Sequence, residues 1–222
     1  MLLTRQLEEL RNATMDRMPL SIIQTFNDGI EKIKAIGLKE KALQVGDVVP
    51  HFSLTDHNGK SVKLTDLHQL GYLVLNFYRG GWCPYCNMEL REYERLRGDF
   101  EKADTNIVAI SAELPELALQ TTEKNVVTFP ILTDKDAKFM KDLGIVFQLD
   151  EKTKKDYEGF GMDFTQIHGN ENYELPVPAV YIIDTNKKIV FTHFEADYTT
   201  RIEPSEVLRA IKTLKNLKNE NK

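Results

Sequence analysis

Cysteine is almost absent from this sequence. There are two in 222 residues, Cys83 and Cys86, standing two residues apart. That scarcity excludes a scaffold held by several disulfides. It also argues against structural zinc, because a closed site needs two further Cys or His ligands. The five histidines (His51, His57, His68, His168 and His193) are scattered without a paired spacing. Long apolar runs are missing as well. No stretch approaches the roughly eighteen apolar residues of a membrane helix, so no membrane role is expected. The opening Met1-Leu2-Leu3 passes quickly into charge and lacks the apolar core of a secretory signal. Nor is there a basic excess. Lys and Arg number 29 against 34 Asp and Glu, a net charge of −5, which gives no footing for a nucleic-acid surface. Sparse cysteine in one redox-type pair fits a reducing compartment, and a cytoplasmic location is expected.

What is present centres on Tyr78-Arg79-Gly80-Gly81-Trp82-Cys83-Pro84-Tyr85-Cys86. The preceding run Leu73-Val74-Leu75-Asn76-Phe77 reads as a buried strand. The following Met88, Leu90, Tyr93, Leu96 and Phe100 mark one face of a helix. The Cys-x-x-Cys pair therefore falls in the first turn of a helix that leaves a sheet strand. Unpaired N–H groups and the positive end of the helix dipole favour a thiolate there. This is the arrangement of a redox dithiol. Gly80-Gly81 permits a tight turn into it, and Pro84 suits an early helical position.

Residues 1–43 read as a helical extension in two pieces, with Leu3, Leu7 and Leu10 on one stripe and Ile22, Phe26, Ile30 and Ile33 on another. Met18-Pro19 breaks them. These stripes must be buried on the same subunit or on a partner, and a homodimer contact through this arm or the sheet edge is one expectation. Residues 44–222 read as one α/β domain. A hairpin turns at Asn58-Gly59, and a strand spans Ile107–Ser111. A helix begins near Pro115, a short strand covers Phe129–Leu132, and a helix is predicted over Asp134–Leu143. A proline-led strand at Val177–Asp184 has Ile189–Phe194 as its hairpin partner, and a final helix starts at Pro204. Residues 148–176 exceed an ordinary connection and read as a partly helical insertion at the site's rim. Phe160, Met162, Phe164 and Ile167 form its apolar side, which serves packing or covers the substrate.

This order of elements, together with Trp82-Cys83-Pro84-Tyr85-Cys86, Phe129–Asp134 and Tyr181–Asp184, resembles the alkyl hydroperoxide reductase/thiol-specific antioxidant family over roughly residues 45–217. The likeness is to its peroxiredoxin-like group bearing Trp-Cys-Pro-x-Cys. It implies a thioredoxin-like, peroxiredoxin-type central sheet flanked by helices. It also implies a thiol peroxidase that reduces hydrogen peroxide or organic hydroperoxides through a Cys83–Cys86 dithiol/disulfide cycle, with no metal or organic cofactor. A thioredoxin-type protein or a low-molecular-weight thiol would restore the dithiol. Two patterns overlap here. Laid on the peroxiredoxin Thr-Pro-x-Cys, Cys86 attacks and Cys83 occupies the threonine position. Laid on the thioredoxin-like Trp-Cys-x-x-Cys, Cys83 attacks and Cys86 resolves. Trp82 and Pro178 lean towards Cys83, because Pro178 matches the cis-proline of thioredoxin-like proteins. Arg79 is the nearest candidate to support the thiolate, and Arg201 can reach it by folding. Glu89 resembles the acidic residue following the attacking cysteine in relatives, where it orients the helix or an arginine. The alternatives are a protein disulfide reductase with Cys83 as nucleophile and a redox-sensing interaction protein. The candidate catalytic set is Cys83, Cys86, Arg79, Trp82 and Pro178.

Overall fold

A computed structural model describes residues 2–67 and 71–220; His68 lies outside them. The arm is α1 (Leu3–Met15) and α2 (Leu20–Ile36), followed by the single turn α3 (Leu38–Lys41). Pro19 supplies the extended cap residue of α2, which explains the break between the helices. The hairpin is β1 (Ser53–Asp56) and β2 (Ser61–Lys63). The Asp56 carboxylate takes the N–H groups of Asn58 and Lys60 at 2.9 and 2.8 Å and holds the turn. Then come α4 (Leu64–Leu67), β3 (Tyr72–Phe77), α5 (Pro84–Lys102), β4 (Thr105–Ser111), α6 (Pro115–Asn125) and β5 (Ile131–Thr133).

The helix predicted over Asp134–Leu143 is split. A 3-10 turn at Lys135–Ala137 precedes α7 (Lys138–Asp142), and Asp136 and Ala137 take positive φ values of 60° and 52°. The Asp134 carboxylate explains the division. It accepts the N–H groups of Phe139 and Met140 at 3.1 and 2.8 Å, so the helix restarts after it. Beyond this, β6 (Val146–Gln148) leads into the insertion, which contains α8 (Glu151–Gly159), α9 (Phe164–His168) and β7 (Glu174–Pro176). β7 returns antiparallel to β6 as a separate two-stranded sheet. The chain ends with β8 (Ala179–Ile183), β9 (Ile189–Phe194) and α10 (Pro204–Glu220).

The main sheet has seven strands in the order β2-β1-β5-β4-β3-β8-β9. β3, β4 and β5 run parallel, and the other pairs are antiparallel. The central strands are buried on both faces, with period-two alternation. Val74, Ile107, Ala109, Ile131, Val180 and Ile182 face a core shared with α1, α5 and α10. Leu73, Leu75, Phe77, Val108, Ile110 and Tyr181 face a second core with α7.

The arm packs on its own chain. Leu3 and Leu7 are buried beside Tyr93, Phe100 and Ile211. No α1 side chain caps its start; Glu203, two hundred residues away, accepts the N–H groups of Leu3 and Thr4 at 3.2 and 2.7 Å. α2 is tied to the insertion by Lys32–Asp150 at 2.9 Å, and Asp150 also caps α8 through Thr153 N–H. Among the described residues no helix is long and apolar enough to cross a membrane.

Candidate active site

Where β3 ends, the chain must turn sharply to start α5. Gly80 does so at φ 149°, and a Cβ on Gly81 would overlap the Thr121 hydroxyl of α6. The loop is held from three sides. Gly81 N–H donates to Glu113 at 2.8 Å, and Cys83 N–H donates to the Gly80 carbonyl at 3.0 Å. The Asn87 amide donates to the Gly81 carbonyl at 2.8 Å and accepts from Asn125 at 2.9 Å. Cys83 thus becomes the N-cap of α5, Pro84 its first residue and Cys86 its third. This is the placement expected from the strand–dithiol–helix pattern.

Both thiols are free and buried, Cys83 at 1 % exposure and Cys86 at 0 %. Their chemistry differs. Burial opposes ionisation of Cys83, but a hydrogen bond with the Cys86 thiol, the Arg79 and Arg201 charges and the Cys86 backbone outweigh it. The thiol is drawn down to about 6. Cys86 is pushed well up, first by burial and then by the neighbouring Cys83. These influences favour ionisation of Cys83 over Cys86.

Arg79, 3 % exposed, is caged by aromatic rings. Its guanidinium carbon lies 3.9 Å from the ring centre of Tyr198, 4.7 Å from Trp82 and 5.7 Å from Tyr157. Its Nη2 donates to the Tyr157 hydroxyl, while its Nε has no partner among the described residues. Among the described residues no carboxylate pairs with it. A buried cation without a carboxylate favours a nearby anion, and the Arg79 charge is among the influences that lower the Cys83 thiol.

Arg201 serves the other sulfur. Its Nη2 is 3.2 Å from Cys86 Sγ, its Nε donates to Glu89 at 2.7 Å, and Nη1 donates to the Tyr198 and Thr200 carbonyls at 2.5 Å. Burial pushes the Glu89 carboxyl up, and the guanidinium pulls it back. Glu89 thus pairs with Arg201, one of the two partners its resemblance implied.

A cavity of about 270 Å³ has Cys83 among its lining residues. Its walls come from all three additions to the sheet domain: Met18 and Phe26 of the arm, Tyr157 and Phe160 of the insertion, and Tyr198 of the loop before α10. Cys86 does not line it. Trp82 does, packing edge-on against Tyr157 and Phe164 at 5.6 and 5.4 Å. The insertion thus packs in a small apolar cluster and walls part of the chamber.

Pro178 departs from its expected place. Every peptide bond among the described residues is trans. Pro178 lies in the two-residue link between β7 and β8, where extended chain suits a trans proline. It sits beside Glu89 and Arg201, not on the chamber of Cys83. Of the two tyrosines in this stretch, Tyr85 lines the chamber, while Tyr78 is buried with its hydroxyl 3.4 Å from Glu113. Sequence reading missed Tyr157, Tyr198 and the covering role of Phe26. No spacing relates them to the dithiol; an aromatic-rich insertion was the one available hint.

Fold and site together define a dithiol oxidoreductase of the thioredoxin-like class. Residues 45–192 match the AhpC/TSA family, and the chain belongs to it. It is 26 % identical over 137 residues to the thiol-disulfide oxidoreductase ResA of Bacillus cereus, covering 61 % of this chain and 78 % of that one. It is 27 % identical over 179 residues to the 1-Cys peroxiredoxin PER1 of Triticum aestivum, covering 78 % and 73 %. A crystal structure of a mutant Peroxiredoxin 6 of Arenicola marina superposes with a TM-score of 0.61 at 25 % identity, covering 78 % of this chain and 74 % of that one. The arm helices and Arg201 fall outside the family match.

Proposed function

We propose that the protein is a thiol peroxidase that reduces hydrogen peroxide or organic hydroperoxides, with Cys83 attacking and Cys86 resolving. One observation carries this reading: Cys83, whose thiol is drawn down to about 6, and the buried Arg79 cation line the same chamber. The Cys83 thiolate attacks the terminal peroxide oxygen. An S–O bond forms, the O–O bond breaks, and the alkoxide takes a proton and leaves as alcohol. Arg79 supports the thiolate beforehand and polarises the peroxide as charge moves onto oxygen. The Cys86 thiol then loses its proton, supported by Arg201, and attacks the Cys83 sulfenic sulfur. Hydroxide departs and is protonated to water, leaving the Cys83–Cys86 disulfide.

The likeness to ResA favours a second reading, reduction of protein disulfides. That reaction needs Cys83 within reach of a macromolecule, and the sulfur lies beneath the arm. A cytoplasmic location and a homodimer formed through the arm or a sheet edge belong to the same proposal. Stopped-flow reaction of the reduced protein with stoichiometric hydroperoxide, read through Trp82 fluorescence, tests it. A rate far above that of a free thiol is expected, retained by Cys86→Ser and lost in Cys83→Ser. A rate no better than a free thiol would remove the peroxidase reading. Retention by Cys83→Ser in place of Cys86→Ser would reverse the two roles.

A further inference from the structure

Cleavage of a hydroperoxide leaves an alkoxide or hydroxide that must find a proton inside the chamber. Among the described residues, the chamber's lining includes no Asp, Glu, His or Lys. Its arginines keep their protons, and Cys83 attacks as a thiolate with none to give. The acids that remain are Tyr85, Tyr157 and Tyr198. They differ in what they offer. Tyr198 presents its ring face to the Arg79 guanidinium, 3.9 Å from the ring centre. Tyr157 alone of the three, among the described residues, is hydrogen-bonded to that cation, whose Nη2 donates to its hydroxyl oxygen. A hydroxyl that accepts such a bond keeps its own proton to donate, and no described residue takes it. The ring is buried and set edge-on against Trp82 and Phe164 at 5.6 and 5.4 Å, with Phe26 5.2 Å away. Burial pushes the Tyr157 hydroxyl up from its ordinary 10.0, the Arg79 charge and hydrogen bond pull it down, and the Cys83 charge pushes it up again. That last influence vanishes as Cys83 gives its charge to the peroxide. The Arg79 cation is then left facing the hydroxyl. A phenol is a far stronger acid than water, the conjugate acid of hydroxide, which stands at about 15.7.

Resting on the peroxidase reading, we propose that Tyr157 is a further catalytic residue, the general acid that protonates the oxygen leaving from the hydroperoxide. A lone pair of the Cys83 thiolate forms the S–O bond, and the O–O bonding pair passes to the far oxygen. That oxygen takes the Tyr157 hydroxyl proton in the same step and departs as alcohol, or as water from hydrogen peroxide. The phenolate left behind pairs with the Arg79 guanidinium, to which no carboxylate is bonded among the described residues. It then regains a proton from solvent. In sum, one thiolate, one hydroperoxide and one solvent proton yield one sulfenic acid and one alcohol. Tyr157 belongs to α8, so the insertion supplies a reacting group as well as a wall.

The test mixes the reduced full chain at pH 7 with hydrogen peroxide, tert-butyl hydroperoxide or peracetic acid in a stopped-flow instrument. Peracetic acid is the control, because its leaving carboxylate is stable as an anion and needs no proton. Tyr157→Phe removes the hydroxyl and keeps the ring, with circular dichroism confirming that the variant is folded. Its ratio of hydroperoxide rate to peracid rate should fall about a hundredfold, the low end of what a general acid supplies. A structural loss, or a shift in Cys83 ionisation, slows all three oxidants alike and leaves that ratio unmoved. Tyr198→Phe, which also takes a hydroxyl from the chamber, should keep the parent's ratio. On the parent protein itself, hydrogen peroxide should show a solvent deuterium isotope effect that peracetic acid lacks. The assignment is overturned, with the peroxidase reading still standing, by a Tyr157→Phe ratio equal to the parent's. A ratio that falls in Tyr198→Phe instead, or one isotope effect common to both oxidants, overturns it equally. A parent no faster than a free thiol with both hydroperoxides removes the peroxidase reading, and this inference with it.

Discussion

Replacing Arg79 with methionine should convert a peroxidase poised for neutral pH into one that works only in alkali. Methionine keeps apolar contact with Trp82, Tyr157 and Tyr198 but removes the cation beside Cys83. The Cys83 thiol stands at about 6 in place of its ordinary 9.0. Three pH units correspond to about 4 kcal/mol of preference for the thiolate. Burial opposes that preference and stays in force in the variant. An opposite charge at this range is worth about 1–3 units, so loss of Arg79 should raise the thiol to about 8. Arg201 cannot take over, because it is committed to Glu89, Cys86 and two carbonyls. At pH 7 the thiolate fraction then falls from about nine-tenths to about one-tenth, and the peroxide rate falls about tenfold. The sign is definite: the variant regains rate as pH rises past about 8, whereas the parent is already on its plateau above about 7. Stopped-flow rates from pH 5 to pH 10, paired with ultraviolet absorbance of the thiolate, measure both midpoints. Arg79→Lys keeps a charge and should lie between the two. An Arg79→Met profile with the parent's midpoint would refute the electrostatic role of Arg79, even if the overall rate fell.

Three further outcomes are expected. Gly81→Ala forces a methyl onto the Thr121 side chain and should destabilise the fold by about 1–3 kcal/mol in urea melts while slowing the peroxide step; adding Thr121→Ala should restore part of both. Glu89→Ala leaves the Arg201 cation buried without a carboxylate and should cost about 3–5 kcal/mol by the same melts; a cost below about 1 kcal/mol would mean that the pair is no more than a surface contact in energy. Phe26→Ala removes an aromatic wall of the chamber and should lower kcat/KM for cumene hydroperoxide relative to hydrogen peroxide by about tenfold, the worth of a lost apolar contact of about 1–2 kcal/mol. An unchanged ratio would show that apolar substrates do not use the arm.

Much of the fold was legible because burial imposes a period. The near-continuous apolar runs of β3, β4 and β8 and the stripe on α5 mark buried elements directly, and Pro19 marks the start of α2. The dithiol at the head of α5 was legible for the same local reason: a strand, two glycines and a proline within a dozen residues leave the chain few other courses. The split near Asp134 was not. A carboxylate capping the N–H groups of Phe139 and Met140 overrides a helical pattern that is otherwise continuous. Nor did the residue type at Pro178 settle its role, since extended chain on either side makes it a strand link.

By itself, then, the sequence determined the class of chemistry, the helix that carries it and the sheet behind it, because each depends on residues close together in the chain. Tertiary structure alone decided which cysteine borders the chamber, which arginines lie near the pair and what covers it. Tyr157 meets Arg79 across 78 positions, Arg201 meets Cys86 across 115, and Glu203 caps α1 across 200. Periodicity specifies that a face is buried and is silent about which distant loop buries it. The active-site environment of this protein is made almost wholly from such long-range meetings.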